Sequence, residues 1–158
     1  MDEVDRLGER LGQALDDDER SVAVAESLTG GSLSAVLGRV RGSGDWFRGS
    51  VVAYSRTVKH GLLEVPPGPV VSETAARTMA ESTARLLDAE LTLSVTGVAG
   101  PAEQDGEPPG TVWMAVHRDD RTTTQLLHLE GAPEDIVEQT CARALRWLVE
   151  AAEGHAES

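Results

Sequence analysis

Ser21-Val22-Ala23-Val24-Ala25-Glu26-Ser27-Leu28-Thr29-Gly30-Gly31 is the stretch on which the fold turns. Residues 21–25 are small or β-branched and uncharged, the pattern of a short buried strand. The turn from Glu26 to Gly31 follows at once, and a helix is expected from there through about Val40. A strand that runs straight into a turn and a helix opens an α/β unit. Such a turn projects its side chains at the carboxyl edge of the sheet, where open α/β sheets bind ligands. Gly30 and Gly31 permit unusual backbone angles and close approach. The N–H groups that begin the helix suit an anion or an oxyanion. Ser27 stands where a nucleophile is presented; the alternative is ordinary helix capping by Ser27 or Thr29.

Outward from that turn the pattern keeps alternating. Val4, Leu7, Leu11 and Leu15 recur at helical spacing and predict a helix over residues 3–15, closed by the acidic cluster Asp16-Asp17-Asp18-Glu19. Residues 46–54 are expected as a strand and 55–63 as a short helix, before the rigid connection Val65-Pro66-Pro67-Gly68-Pro69. Ser72 is the expected N-cap of a helix that runs to about Leu87. Residues 91–96 form the next strand, and a Gly/Pro-rich loop continues to Gly110. Residues 111–117 and 122–129 predict a hairpin around Asp119-Asp120. A last helix over residues 134–152 carries a core face of Ile136, Val137, Cys141, Leu145 and Leu148, and residues 154–158 are expected to fray. Strands alternating with helices, with the hairpin late, predict a three-layer α/β/α sandwich with a mixed β-sheet. No internal repeat or domain boundary interrupts residues 1–158, which are expected to form a single domain.

The charge balance narrows the partners. Asp and Glu outnumber Lys and Arg by 27 to 14, and the formal net charge is −13. Nucleic acid and anionic membrane are disfavoured, because phosphate surfaces need clustered cations. A small anionic substrate still fits where a few arginines converge. Acidic excess with little lysine is also the expected signature of a halophilic proteome, where salt screens the surface repulsion to about 3 Å at 1 M. The one cysteine, Cys141, excludes an intrachain disulfide and is expected in the core. The start Met-Asp-Glu-Val-Asp has no basic or apolar leader pattern, and no apolar run approaches about 18 residues, so a cytoplasmic protein is expected.

Of the 14 cations, 13 are arginines, and the exception is Lys59. Arginine stays protonated near neutral pH, whereas burial or a neighbouring charge turns a lysine into a base. Tyr54 lies five residues earlier. On one helix the two would stand about 140° apart, so convergence requires Tyr54 to sit before the helix. Together with Ser27 they suggest a hydrolytic site in which an amine accepts the hydroxyl proton of the serine. The alternative is that Lys59 is a solvated surface cation. Thr96, Gly97 and Gly100, in Thr96-Gly97-Val98-Ala99-Gly100-Pro101, lie at a third strand end, where small residues let a ligand or a neighbouring helix approach. Residues 102–109 are a candidate lid. Glu26 is a further candidate polar group beside the nucleophile, or the residue that orients the turn. His60, His117, His128 and His155 show no metal-ligand spacing, so no metal is expected.

Six motifs occur in one order: Ala25-Glu26-Ser27-Leu28-Thr29-Gly30-Gly31, Gly42-Ser43-Gly44-Asp45-Trp46-Phe47-Arg48-Gly49, Tyr54-Ser55 with Lys59, Val71-Ser72-Glu73, Thr96-Gly97-Val98-Ala99-Gly100-Pro101 and Gly110-Thr111-Val112-Trp113. Over about Leu11 to Ala151 the chain resembles the CinA C-terminal domain family, whose active members are nicotinamide mononucleotide deamidases. The resemblance implies an α/β/α sandwich that hydrolyses the nicotinamide carboxamide of a small nucleotide to nicotinic acid mononucleotide and ammonia. It implies Ser27 as nucleophile, Tyr54 and Lys59 as its activators, and Thr29, Gly30 and Gly31 lining the substrate or oxyanion. It implies no metal and no organic cofactor, and self-association into a homo-oligomer; many members of the family are fused to an N-terminal domain, which this chain is too short to contain. Four positions depart from the family pattern. Gly44 stands for serine, Arg56 for asparagine, and Pro133 and Val137 for two arginines. If those arginines hold phosphate, Arg48, Arg56 or Arg143 are the candidates to replace them. The departures keep two alternatives open: a nucleotide-binding or interaction module with weak catalysis, or a hydrolase of another small amide.

Overall fold

Val22-Ala23-Val24-Ala25-Glu26 is buried along its whole length, as a strand covered on both faces must be. In a computed structural model, which describes residues 2–16 and 20–154, this strand is β1 (Val22–Glu26), preceded by α1 (Glu3–Asp16). Then follow α2 (Ser32–Arg39), β2 (Phe47–Val52), α3 (Arg56–Gly61), α4 (Glu73–Leu87), β3 (Leu91–Gly97), β4 (Thr111–Arg118), β5 (Arg121–His128) and α5 (Pro133–Ala152). Asp17, Asp18, Glu19 and residues 155–158, on which parts of the reading above fall, lie outside the described residues.

The sheet order is β2-β1-β3-β4-β5. β1 runs parallel to both β2 and β3, while β3, β4 and β5 are antiparallel, so the sheet is mixed as expected. The chain leaves β1 to one side for β2 and returns past β1 to β3. Right-handed crossovers then place the two connections on opposite faces. The apolar clusters agree. Leu33 and Leu37 of α2 pack with Leu11 and Leu15 of α1, Leu145 and Leu148 of α5, and Val22, Val24, Leu91, Leu93 and Val95 of the sheet. Ala75 and Met79 of α4 pack on the other face with Ala25, Ala53, Leu63, Val65 and Val70.

β3 shows how one strand serves both layers, because successive side chains point to opposite faces. Leu91, Leu93 and Val95 enter the larger cluster. The alternate residues are hydroxyls. Thr92 donates to the Ala80 carbonyl at 2.8 Å, Ser94 to the Ala76 carbonyl at 2.5 Å and Thr96 to the Val70 carbonyl at 2.6 Å. α4 therefore lies on the sheet through small residues and buried hydrogen bonds.

Several boundaries differ from the sequence expectation. β2 is shorter than residues 46–54: a 3₁₀ turn at Ser43–Asp45 leads into Trp46, which is buried before the strand starts. Ser72 caps α4 by accepting from the Ala75 N–H, as expected. The hairpin between β4 and β5 turns on Asp119 and Asp120, both at positive φ (50° and 59°), the requirement of a type I′ turn. On α5, Val137 is only half-buried; Thr140 and Ala144 complete the inner face in its place.

Gly97 ends β3 where β4 comes closest. A Cβ there would lie 2.7 Å from the Thr111 carbonyl oxygen, which is backbone and cannot swing aside. Gly97→Ala is expected to lower unfolding stability by about 1–3 kcal/mol, measured by urea denaturation.

Candidate active site

The connections leaving β1 and β2 depart to opposite faces, so a crevice opens between the carboxyl ends of these two strands. Glu26 ↔ Val52 is the last register pair of β1 and β2, and the Ala53 N–H donates to the Glu26 carbonyl at 2.7 Å. Ser27 and Tyr54, the next residues out, therefore emerge from neighbouring strand ends. Thr96 and Gly97 end β3, the strand on the other side of β1.

Glu26 settles the shape of the turn. Its side chain, 0% exposed, accepts from the Gly31 and Leu33 N–H groups on one oxygen (3.1 and 3.0 Å) and from the Ser34 N–H on the other (2.8 Å). The Ser34 hydroxyl also donates to it, and lies 2.6 Å from the Ser50 hydroxyl of β2. Gly30 and Ser32 N–H groups bond to the Ser27 and Thr29 carbonyls at 3.0 and 2.9 Å. Every N–H from Gly30 to Ser34 is thus engaged, and the anion-binding capacity expected of this helix start is taken up by the protein's own carboxylate. Glu26, a candidate substrate-binding group on sequence, holds the start of the helix, the turn-orienting role that was its alternative. Gly30 and Gly31 adopt positive φ (58° and 106°), the left-handed geometry that lets the chain double back over it.

Ser27 is 3% exposed and Thr29 is 3% exposed. The Thr29 hydroxyl has no hydrogen-bond partner among the described residues, so a buried polar group beside Ser27 is left for something else to satisfy. Neither serves as the N-cap of α2, where Gly31 occupies that position.

Lys59 lies on α3, whose start is capped by Ser55 accepting from the Val58 N–H. The residue is 2% exposed, among the largest fully buried side chains described. Burial, and secondarily the Arg56 guanidinium one turn earlier, push its amine down from 10.5 to about 8. The surface-cation alternative is thereby corrected. Tyr54 is 72% exposed and precedes the helix, so it stands at the rim of the crevice.

The loop over residues 98–110 contains a small hairpin. Gln104 and Glu107 exchange N–H···O bonds, with Asp105 and Gly106 at positive φ between them. Asp105 reaches back across the fold: its Oδ2 accepts from the Val70 and Val71 N–H groups at 2.8 and 3.0 Å, and its Oδ1 pairs with Arg56. Asp105 was not among the residues singled out from the sequence, although Asp-Gly is the strongest short hairpin signal. Gly100, expected near substrate, packs against Pro109.

Among the described residues, no group of three or more His, Cys, Asp or Glu is placed to hold a metal. No helix among them is long and apolar enough to cross a membrane. Cys141 is buried and its thiol is pushed up to about 12, chiefly by burial and then by Glu26 and Glu138, so it is an inert core residue.

Residues 4–152 match the CinA C-terminal domain. The chain belongs to this family. A protein of Levilactobacillus brevis, provisionally named competence-damage inducible, is 39% identical over 86% of the chain and 34% of its own length. A relative with the same provisional name in Halalkalibacterium halodurans is 37% identical over 85% of the chain and 33% of its own length. The chain therefore spans about a third of the length of these curated relatives. Among solved structures, a CinA superfamily protein from Klebsiella pneumoniae is 29% identical with a TM-score of 0.91, covering 96% of this chain and 98% of its own. One from Escherichia coli, 29% identical, superposes with a TM-score of 0.90 over 94% and 90% of the two chains.

The departures from the CinA pattern have definite places. Pro133 is the first residue of α5, where its missing N–H has no helical partner to lose, and Asp135 accepts from the Ala132 N–H at 2.9 Å. Val137 follows one turn on. Arg48 and Arg143 are exposed on β2 and α5. Arg56, on α3, is paired with Asp105 of the loop over residues 98–110.

Proposed function

We propose that the domain is an amidohydrolase converting nicotinamide mononucleotide to nicotinic acid mononucleotide and ammonia. The observation that carries this reading is Lys59, a buried amine depressed to about 8 in a family whose pattern pairs it with Ser27. At pH 7 about 10% of such an amine is neutral, against about 0.03% at the ordinary value. Ser27 Oγ attacks the carboxamide carbon and Lys59 takes its proton, with Tyr54 shuttling protons at the rim. The Leu28 and Thr29 amides are the donors assigned to the oxyanion, since those from Gly30 onward are occupied. Collapse returns the proton to the departing nitrogen, releases ammonia and leaves an ester on Ser27. Water, deprotonated by Lys59, then cleaves the ester and frees the carboxylate product.

The test is ammonia release at molar salt, the condition the acidic surface calls for, by wild type, Ser27→Ala and Lys59→Arg. Both variants are expected to lose at least about a hundredfold in kcat/KM. In wild type, kcat/KM is expected to rise about tenfold per pH unit and level off near 8, as the amine loses its proton. Equal rates in all three proteins would overturn the mechanism, and no turnover by wild type would overturn the substrate. The non-arginine residues at 133 and 137 favour one second reading, a nucleotide-binding module without efficient catalysis. Calorimetry separates the two, because tight mononucleotide binding without ammonia release supports the module.

A further inference from the structure

Three donors from separate parts of the chain converge on a single carboxylate. The Val70 and Val71 N–H groups, just before α4, lie 2.8 and 3.0 Å from Asp105 Oδ2, and the Arg56 guanidinium of α3 closes on Oδ1. Two adjacent main-chain amides and a guanidinium aimed at one point make an anion cradle, the combination that recognises phosphate elsewhere. It is tied to the catalytic edge from two sides. The Val70 carbonyl accepts from Thr96 at the end of β3, and Arg56 shares one turn of α3 with Lys59. The occupant comes from outside the cradle, on the tip of the hairpin at residues 104–107. Its side chain is 7% exposed, whereas that of Arg56 is 48% exposed. The guanidinium is thus open to solvent on one side while its anion is covered by the hairpin.

Resting on the deamidase reading above, we propose that Val70 N–H, Val71 N–H and Arg56 form the subsite for the phosphate of the substrate, and that Asp105 is a built-in stand-in which that phosphate displaces. A phosphate monoester carries more charge than a carboxylate and has three acceptor oxygens, so it satisfies the same three donors. Displacement frees the hairpin tip without disturbing the sheet, because the loop's remaining backbone bonds at Val98 and Gly110 belong to its base. The cradle gives this chain a phosphate contact that uses neither position 133 nor position 137.

The probe is inorganic phosphate, titrated into the full chain at fixed salt and followed by the amide resonances of Val70 and Val71. Those two resonances are expected to shift on saturation in wild type. Asp105→Ala is expected to bind at least about tenfold more tightly, because no internal anion competes, and Arg56→Gln at least about tenfold more weakly. Asp105→Asn keeps an acceptor for both amides and removes the charge, so it gives the same comparison should the alanine variant fold poorly. In the activity arm, wild type is expected to prefer nicotinamide mononucleotide over nicotinamide riboside in kcat/KM, and Arg56→Gln to lose most of that preference. The inference is overturned if phosphate leaves both amides unmoved, or moves them equally in wild type and Arg56→Gln. Phosphate binding at the cradle without deamidation of the mononucleotide would retain the subsite and sink the deamidase reading. Deamidation with both amides silent would do the reverse.

Discussion

Lys59→Met is expected to abolish ammonia release and yet raise the melting temperature. The catalytic loss, about a thousandfold or more, follows from removing the proton acceptor. The gain in stability follows from the same burial. A side chain 2% exposed holds its amine at about 8 rather than 10.5, so folding buries a charged group that keeps its proton more readily in the unfolded chain. Because the unfolded chain binds the proton more tightly, stability rises with pH between about 8 and 10.5, and the full cost is present below 8. An apolar side chain of similar length removes that cost, about 2–3 kcal/mol, or several degrees in a chain of this size. Thermal melts of both proteins at pH 7 and pH 10 check this: the gain should be largest at pH 7 and shrink at pH 10. A melting temperature lowered at pH 7, or a gain that grows with pH, would contradict the account.

Glu26→Gln should have the largest effect on folding. The carboxylate accepts from three backbone N–H groups and one hydroxyl, in full burial. An amide of the same shape turns an NH₂ group toward donors that need an acceptor. Stranding one or two of them costs about 3–5 kcal/mol, since buried unpaired donors lose their full desolvation free energy. That corresponds to a fall of about 10 °C in melting temperature, read by calorimetry or circular dichroism. Ser34→Ala, which removes the hydroxyl's bonds to Glu26 and Ser50 but leaves the three backbone N–H bonds, should cost about 1 kcal/mol. A Glu26→Gln protein melting within a degree or two of wild type would show that the helix start is held otherwise.

The strand–turn–helix at residues 22–39 was legible because burial on both faces leaves a short uncharged run, and because two glycines announce the turn. Ser72 was legible as a cap for a similarly local reason. Glu26 was not, since its partners are set by how the turn folds back, and a lone glutamate carries no mark of that. The burial of Lys59 depends on packing between α3 and the segment returning from it, where the Val65 N–H bonds to the Lys59 carbonyl at 3.0 Å. The sequence could say that an amine was present but not that water was excluded from it. Asp105 acts on residues 34, 35 and 49 positions away, a separation at which no spacing rule operates. Val137 was misplaced because helical periodicity names a face without saying how wide it is.

The hydroxyl ladder on β3 has a mechanical consequence. Thr92 and Ser94 grip the Ala80 and Ala76 carbonyls, one helical turn apart, at fixed points along the sheet. Sliding α4 by a single residue would break both bonds together in a site where no water replaces them. α4 is therefore pinned against shear, and Thr96 extends the same anchorage to Val70. A rearrangement of the hairpin at residues 104–107 would then be a hinge against a fixed layer rather than a slide of α4.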